Sequence, residues 1–278
     1  MSQPSHDISA LQIAFIGGGN MASAIIGGLL KQGYAPDHLT VVEPFAEARD
    51  KLQASFGLTA HAESGAFLAP ADLVIWAVKP QTFKEAAQQV QAHTQNALHL
   101  SVAAGIRSDS IAHWLGTDRV VRAMPNTPAL IGQGITALFA RPGVTPDNKK
   151  WVGEVIATTG QFLWLDAEAQ LDAVTALSGS GPAYMFYFME AMVDAGTGMG
   201  LTRDQAYQLA VATFIGAGEL ARASDETPET LRQRVTSKGG TTYAALTSME
   251  NDHMKAHFVR AMQAAGLRAK ELGDEFGG

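Results

Sequence analysis

"IAFIGGGNMA" occupies residues 13–22, and its reading decides the fold. An apolar run over 11–18 ends in glycines, and an alanine-rich apolar run over 21–33 follows, closed by Gly33. Strand, glycine turn and helix are the expected elements. Within the turn, Gly17, Gly19 and Ala22 stand in the spacing G-x-G-x-x-A. The first glycine makes a tight turn, the second lets backbone approach a pyrophosphate, and the small third residue lets helix pack closely on strand. The helix start then turns its amides and positive dipole end toward that anion. Gly17, Gly18 and Gly19 are therefore candidate cofactor contacts. A plain glycine turn shares the spacing, but the setting separates the two. A second strand over 39–44 carries Glu43, twenty-four positions after Gly19. An acid there accepts from the adenosine ribose 2′-hydroxyl, which favours NAD(H) over its 2′-phosphorylated form. Arg49, further on, offers a cation that could reach a phosphate.

Outward from this turn the rhythm repeats. Strands are expected at 71–80, 97–105, 119–126, about "ITALFARPG" and at 160–166. Helices are expected between them, at 46–57, 81–92, 108–116 and 146–158. Such alternation specifies a doubly wound, mostly parallel sheet with helices on both faces. After Asp166 the strand signal stops. Helical patterns follow at 168–177, 182–198, 203–224, 228–236, 242–249 and 253–272. The expected organisation is a flexible tail over 1–10, an α/β dinucleotide-binding domain over 11–166 and an all-helical domain over 167–278. The runs "AYMFYFMEAMVDAGTGMGL" (183–201) and "AYQLAVATFIGAGELA" (206–221) are apolar nearly all the way round. Such faces suit a subunit interface, against ordinary packing on the first domain as the plainer reading.

Composition narrows the chemistry. A net charge of −7 argues against a nucleic-acid partner. The absence of cysteine excludes disulfides, thiolate nucleophiles and Cys-ligated zinc. The eight histidines form no helical metal pair, so no metal site is expected. "MSQPSHDISA" has no secretory character and no apolar run reaches membrane-spanning length, which gives the expectation of a cytoplasmic protein without a membrane partner.

Ligands of a doubly wound sheet gather outside the carboxyl ends of its strands. "AVKPQ" (77–81), "SVAAG" (101–105) and "MPNTP" (124–128) sit at such ends. Val78, Lys79, Pro80, Ala104 and Asn126 thereby join the cofactor candidates, against a solvated lysine and a merely stiffened turn as plainer readings. Two polar segments remain. "LSGSGPAY" (177–184) reads as a helix entry with Pro182 near its start. "RVTSKGGTTYAAL" (234–246) sets a glycine pair and two threonines before an apolar helix.

Taken in order, "FIGGGNMA", "AVKPQ", "AAGI", "MPNTPA", "LSGSGPAY" and "TPETLRQRVTSKGGTTYAALTSME" (227–250) resemble the pyrroline-5-carboxylate reductases from Leu11 to about Leu272. The resemblance implies a Rossmann-type domain followed by a helical dimerisation domain, a homodimer, and larger rings such as a decamer. It implies NADPH- or NADH-dependent reduction of 1-pyrroline-5-carboxylate to L-proline. It places the cofactor on Gly17, Gly19, Asn20 and Met21, with Val78, Lys79 and Ala104 near the nicotinamide, and the substrate on Gly239, Gly240, Thr241 and Thr242, with Glu168 approaching it. Members that favour NADPH carry small polar residues in place of Glu43. Some carry proline and asparagine where this chain has Lys238 and Arg234, and both changes bring positive charge suited to an anionic site.

Chemistry then gives each residue a task. The substrate is a cyclic imine bearing a carboxylate. Amides of residues 239–242 at a helix start can hold that carboxylate, and glycine permits close approach. The Thr242 hydroxyl is the candidate for positioning and relaying a proton to the ring nitrogen. A plainer reading makes Thr241 and Thr242 helix caps. Two rivals share the architecture: a hydroxyacid dehydrogenase, which needs a base such as a second-domain lysine, and a non-catalytic dinucleotide-binding protein.

Overall fold

The computed structural model describes residues 8–277. The expected tail lies outside the described residues except for Ile8–Ala10, a 3-10 turn whose Ile8 packs on the core. The chain divides into two compact units. One runs up to Ser180 and resumes at Ala265, and the other comprises Gly181–Ala264.

The first unit alternates strand and helix. Its elements are β1 (Ile13–Ile16), α1 (Asn20–Lys31), β2 (Leu39–Val42), α2 (Ala46–Phe56), β3 (Leu73–Trp76), α3 (Pro80–Val90) and β4 (Leu98–Ser101). They continue as α4 (Ser108–Leu115), β5 (Val120–Met124), β6 (Gly134–Ala140), α5 (Pro146–Ala157) and β7 (Gly160–Trp164). The strands lie in the order β2-β1-β3-β4-β5-β6-β7. The first five are parallel, and β6 turns antiparallel to β5. Nine residues (125–133) join those two strands, fewer than a parallel crossover needs, so the chain reverses. Between β6 and β7 helix α5 restores a crossover, and that pair is parallel.

Alternate strand residues feed two cores. Ile13, Phe15, Leu73, Ile75, Leu98 and Leu100 face α1, α2 and α5. Ala14, Ile16, Val74, Trp76 and Val120 face α3 and α4. β1, β3 and β4 are buried on both faces, which is why β1 and β3 read as continuous apolar runs.

One polar group lies deep in the second core. His99 is 1% exposed, and its Nδ1 accepts from Trp76 Nε1 at 3.1 Å. Burial lowers its pKa from 6.5 to about 4; nearby Arg119 lowers it further, against a backbone hydrogen bond with Thr94 that raises it. The folded state thus keeps His99 neutral, whereas the unfolded chain binds its proton near pH 6.5. This contribution to stability is complete above pH 6.5 and is lost as pH falls toward 4, amounting to about 3 kcal/mol. Urea unfolding across pH 7 to 4 should show that loss in the wild type. His99→Gln, which keeps an acceptor for Trp76, should lose correspondingly less.

After β7 come α6 (Gln170–Val174) and a π-helical turn (Thr175–Gly179), where one helix over 168–177 was expected. Hydroxyls explain the slip. Thr175 Oγ1 donates to the Leu171 carbonyl at 2.8 Å and Ser178 Oγ to that of Val174 at 3.3 Å. Both compete for the helix ladder, and the Ser180 amide reaches back to Thr175 at 2.8 Å.

The second unit holds α7 (Gly181–Gly198), α8 (Arg203–Arg222), α9 (Pro228–Arg234), α10 (Thr241–Asn251) and the first turns of α11 (Met254–Phe276). Its cluster of fully buried apolar residues among those described is Val193, Ala206 and Ala210. Tyr184, Phe188 and Phe258 add edge-on ring contacts at 5.6–5.7 Å. In contrast, Phe186, Tyr187 and Met199 are 58%, 70% and 79% exposed.

Candidate active site

The three glycines after β1 serve different ends. Gly17 has φ +96°, its amide donates to the Val42 carbonyl at 2.8 Å, and a Cβ there would lie 2.6 Å from the Ala77 oxygen. A Cβ on Gly18 would sit 2.6 Å from Leu52. Gly17 is required by the backbone itself, and Gly18 is crowded by the tip of the Leu52 side chain. Gly19 is neither: it has an ordinary φ of −71°, and a Cβ would meet nothing within 4 Å. It caps α1 with no side chain on the amides, so open space lies above an uncapped helix start. That is the shape a pyrophosphate fills. Asn20 at the first helical turn is exposed, while half-buried Met21 packs against the core.

Glu43 follows β2 directly and is 6% exposed. Its Oε2 accepts from the Gly18 amide at 2.7 Å and its Oε1 from the Phe45 amide at 2.9 Å. Arg49 Nη1 donates to the backbone carbonyls of Glu43 at 2.9 Å and Pro44 at 2.7 Å. Beside the turn, Val78 lies against Gly17, Lys79 is exposed at the N-cap of α3, and Pro80 starts that helix. Ala104 is half-buried beyond the end of β4.

Two predicted site residues have partners that the sequence did not reveal. Asn126 is buried; its Nδ2 donates to the Ser178 carbonyl at 3.2 Å, and its Oδ1 accepts from the Ile135 amide at 3.0 Å. It ties the β5–β6 connection to the π-helical turn. The carboxylate of Glu168 accepts from the Ser108 amide at 2.6 Å, from Arg122 Nη1 at 2.6 Å and from the Ser108 hydroxyl. Arg122 is only 10% exposed in its side chain. Glu168 thus supplies the negative charge that the start of α4 favours and neutralises a buried guanidinium, all within the first unit. Arg141 extends this network, donating to Ser108 Oγ at 3.3 Å and pairing with Asp118 at 2.8 Å. The one sequence signal for Ser108 is its place at a helix start.

In the second unit, Gly239 has φ +74°, the left-handed region that suits glycine. The Gly240 amide donates to the Ser237 carbonyl at 3.0 Å. Gly240 is the N-cap of α10, and no side chain caps that helix. Thr241 and half-buried Thr242 are its first two residues, so neither is the cap that the plainer reading made them. Helices α5, α8 and α9 differ: Thr145, Thr202 and Thr227 accept from their own N3 amides. Arg234 pairs with Glu226, so its charge is spent there, while Lys238 is exposed.

A nucleotide-shaped helix start on a doubly wound sheet, joined to a helical unit with a second uncapped glycine N-cap, defines a dinucleotide-dependent oxidoreductase of two-domain plan. Residues 168–272 match the family model for pyrroline-5-carboxylate reductase dimerisation, and residues 12–105 match that for NADP oxidoreductase, coenzyme F420-dependent. The pyrroline-5-carboxylate reductase of Pseudomonas aeruginosa is 43% identical over 97% of this chain and 100% of its own. That of Arabidopsis thaliana is 36% identical over 95% and 96%. The solved Coxiella burnetii pyrroline-5-carboxylate reductase superposes with a TM-score of 0.88 at 37% identity, covering 94% of this chain and 98% of that one. The Plasmodium falciparum pyrroline carboxylate reductase, solved with NADP bound, gives 0.86 at 26% identity over 96% and 100%. The chain belongs to the pyrroline-5-carboxylate reductase family. It is an oxidoreductase that reduces 1-pyrroline-5-carboxylate to proline with NAD(P)H, and the dehydrogenase and non-catalytic alternatives fall. It carries the family's dimerisation segment, and among the described residues no helix is long and apolar enough to cross a membrane.

Proposed function

We propose that the uncapped start of α10 is the substrate's carboxylate cradle, formed by Gly239, Gly240, Thr241 and Thr242. The observation that carries it is the contrast in capping. Helices α1 and α10 begin on glycines, Gly19 and Gly240, with no side chain on their first amides, whereas α5, α8 and α9 are capped by threonines, and α2, α3 and α4, also without a side-chain cap, begin on Phe45, Lys79 and Arg107. Such a start favours an anion by both its donors and its dipole. The exposed Lys238 beside it adds positive charge.

The cofactor set in this reading is Gly17, Gly18, Gly19, Asn20 and Met21, with Glu43, Val78, Lys79, Pro80 and Ala104. Gly19 supplies the fit, since neither backbone angle nor packing explains a glycine there. When bound, the reduced nicotinamide supplies the hydride for the imine carbon. The cradle orients the ring by its carboxylate, so that one carbon is presented for reduction. The Thr242 hydroxyl holds the ring nitrogen and relays its proton, with water behind it. We assign Asn126 and Glu168 to positioning, because their side chains are already engaged inside the first unit.

The working assembly in this reading is a cytoplasmic homodimer. The exposed Phe186, Tyr187 and Met199 of the second unit support it. The cradle is tested with 1-pyrroline, the same ring without its carboxylate. Its kcat/KM should be lower by on the order of 10²-fold, the loss expected when built donors are left without their partner. Equal turnover of the two rings would sink the assignment.

A further inference from the structure

We propose that Glu43 makes this chain select NADH over NADPH, and that it does so by filling, with its own carboxylate, the place a 2′-phosphate would take. This rests on reading the turn Gly17–Ala22 as the cofactor site. Glu43 stands at the end of β2, where the adenosine ribose of such a cofactor lies. Its two oxygens are held by the amides of Gly18 and Phe45 at 2.7 and 2.9 Å. Those are the donors a phosphate would otherwise recruit, and an internal anion has already taken them. A phosphate would bring nearly two further negative charges to a site already charged.

A ribose diol meets the reverse situation. An ionised carboxylate has about four acceptor positions, and two are occupied here. The remaining lone pairs can accept from hydroxyls. Nor can Glu43 easily swing aside. At 6% exposure, its departure would leave the Gly18 amide without its partner in the turn. The nearby cation does not change the balance. Arg49 is turned to the carbonyls of Glu43 and Pro44, which closes the loop without answering the carboxylate. Around it the segment 43–51 has Glu43, Glu47 and Asp50 against Arg49 and Lys51. The choice therefore departs from the NADP bound in the Plasmodium falciparum relative.

The experiment measures kcat/KM for NADH and for NADPH at saturating 1-pyrroline-5-carboxylate in the wild type, Glu43→Gln and Glu43→Ser. The wild type should favour NADH at least tenfold. Glu43→Gln removes the charge while keeping one acceptor, and should shift the ratio toward NADPH at least tenfold; Glu43→Ser, which also makes room, should shift it further. A wild type that uses both equally or prefers NADPH overturns the inference, as does a ratio unmoved in both variants. Should the variants not fold, the wild type alone decides, because 5′-AMP should compete with NADH at least tenfold better than its 2′-phosphorylated form. Equal competition overturns it. Titration of both nucleotides onto Gly19→Val separates the two levels of the argument. Unchanged binding there removes the cofactor-site reading itself, whereas loss of both nucleotides, with equal wild-type affinities, removes selectivity alone.

Discussion

Thr242→Ala should lower kcat by about 10²-fold or more, the scale at which a positioned proton-transfer group acts. Cofactor affinity and stability should stay close to wild type. The structure makes this separation sharp. Thr242 is the second residue of α10, and the N-cap is Gly240, so alanine removes no cap. Alanine is also the better helix former, and the melting temperature should hold or rise slightly. Thr242→Ser, which keeps the hydroxyl, should recover most of the lost rate. Stopped-flow and steady-state kinetics, with nucleotide titration in parallel, check all three points. A kcat within twofold of wild type in the alanine variant would falsify the assignment.

Gly19→Val should weaken cofactor binding strongly while the protein still folds. Nothing lies within 4 Å of the position its Cβ would occupy, and φ there is −71°, which a β-branched residue adopts freely. The loss of a glycine N-cap should cost no more than about 1 kcal/mol. The branched side chain, however, projects into the space above the α1 amides. NAD(P)H affinity should fall on the order of 10²-fold, comparable to a misplacement at a reacting centre. Calorimetric titration beside a thermal melt gives both quantities. Gly17 cannot serve this purpose, because its positive φ and contact with Ala77 would confound folding with binding.

The strand–helix rhythm, the glycine turn and the loss of strands after β7 were legible in the sequence because each rests on local chemistry. Apolar runs buried on both faces, glycines at positive φ and a proline opening α3 announce themselves within a few residues. The reversal of β6 was written in a connection length, a subtler signal than composition. What stayed hidden depends on distant partners. The carboxamide of Asn126 meets Ser178, 52 residues on, and Glu168 meets Arg122 and Ser108, 46 and 60 residues back. Nothing near either residue in the chain announces those contacts. The π-helical turn was equally opaque, since hydroxyls at Thr175 and Ser178 are neutral to periodicity yet redirect the hydrogen-bond ladder. At α10 the glycine pair was visible, but only the backbone shows that the helix starts on Gly240 and not on a threonine.

The poverty of the second unit's interior has a consequence for how this protein keeps time with its surroundings. Val193, Ala206 and Ala210 are too little enclosed hydrocarbon to offset the ordering of some eighty residues. In the proposed homodimer a second copy completes that enclosure, and it arrives by collision. The rigidity of the proposed substrate cradle would then be set by how many protomers share a given volume, as well as by the sequence. Dilution alone acts as a mild denaturant.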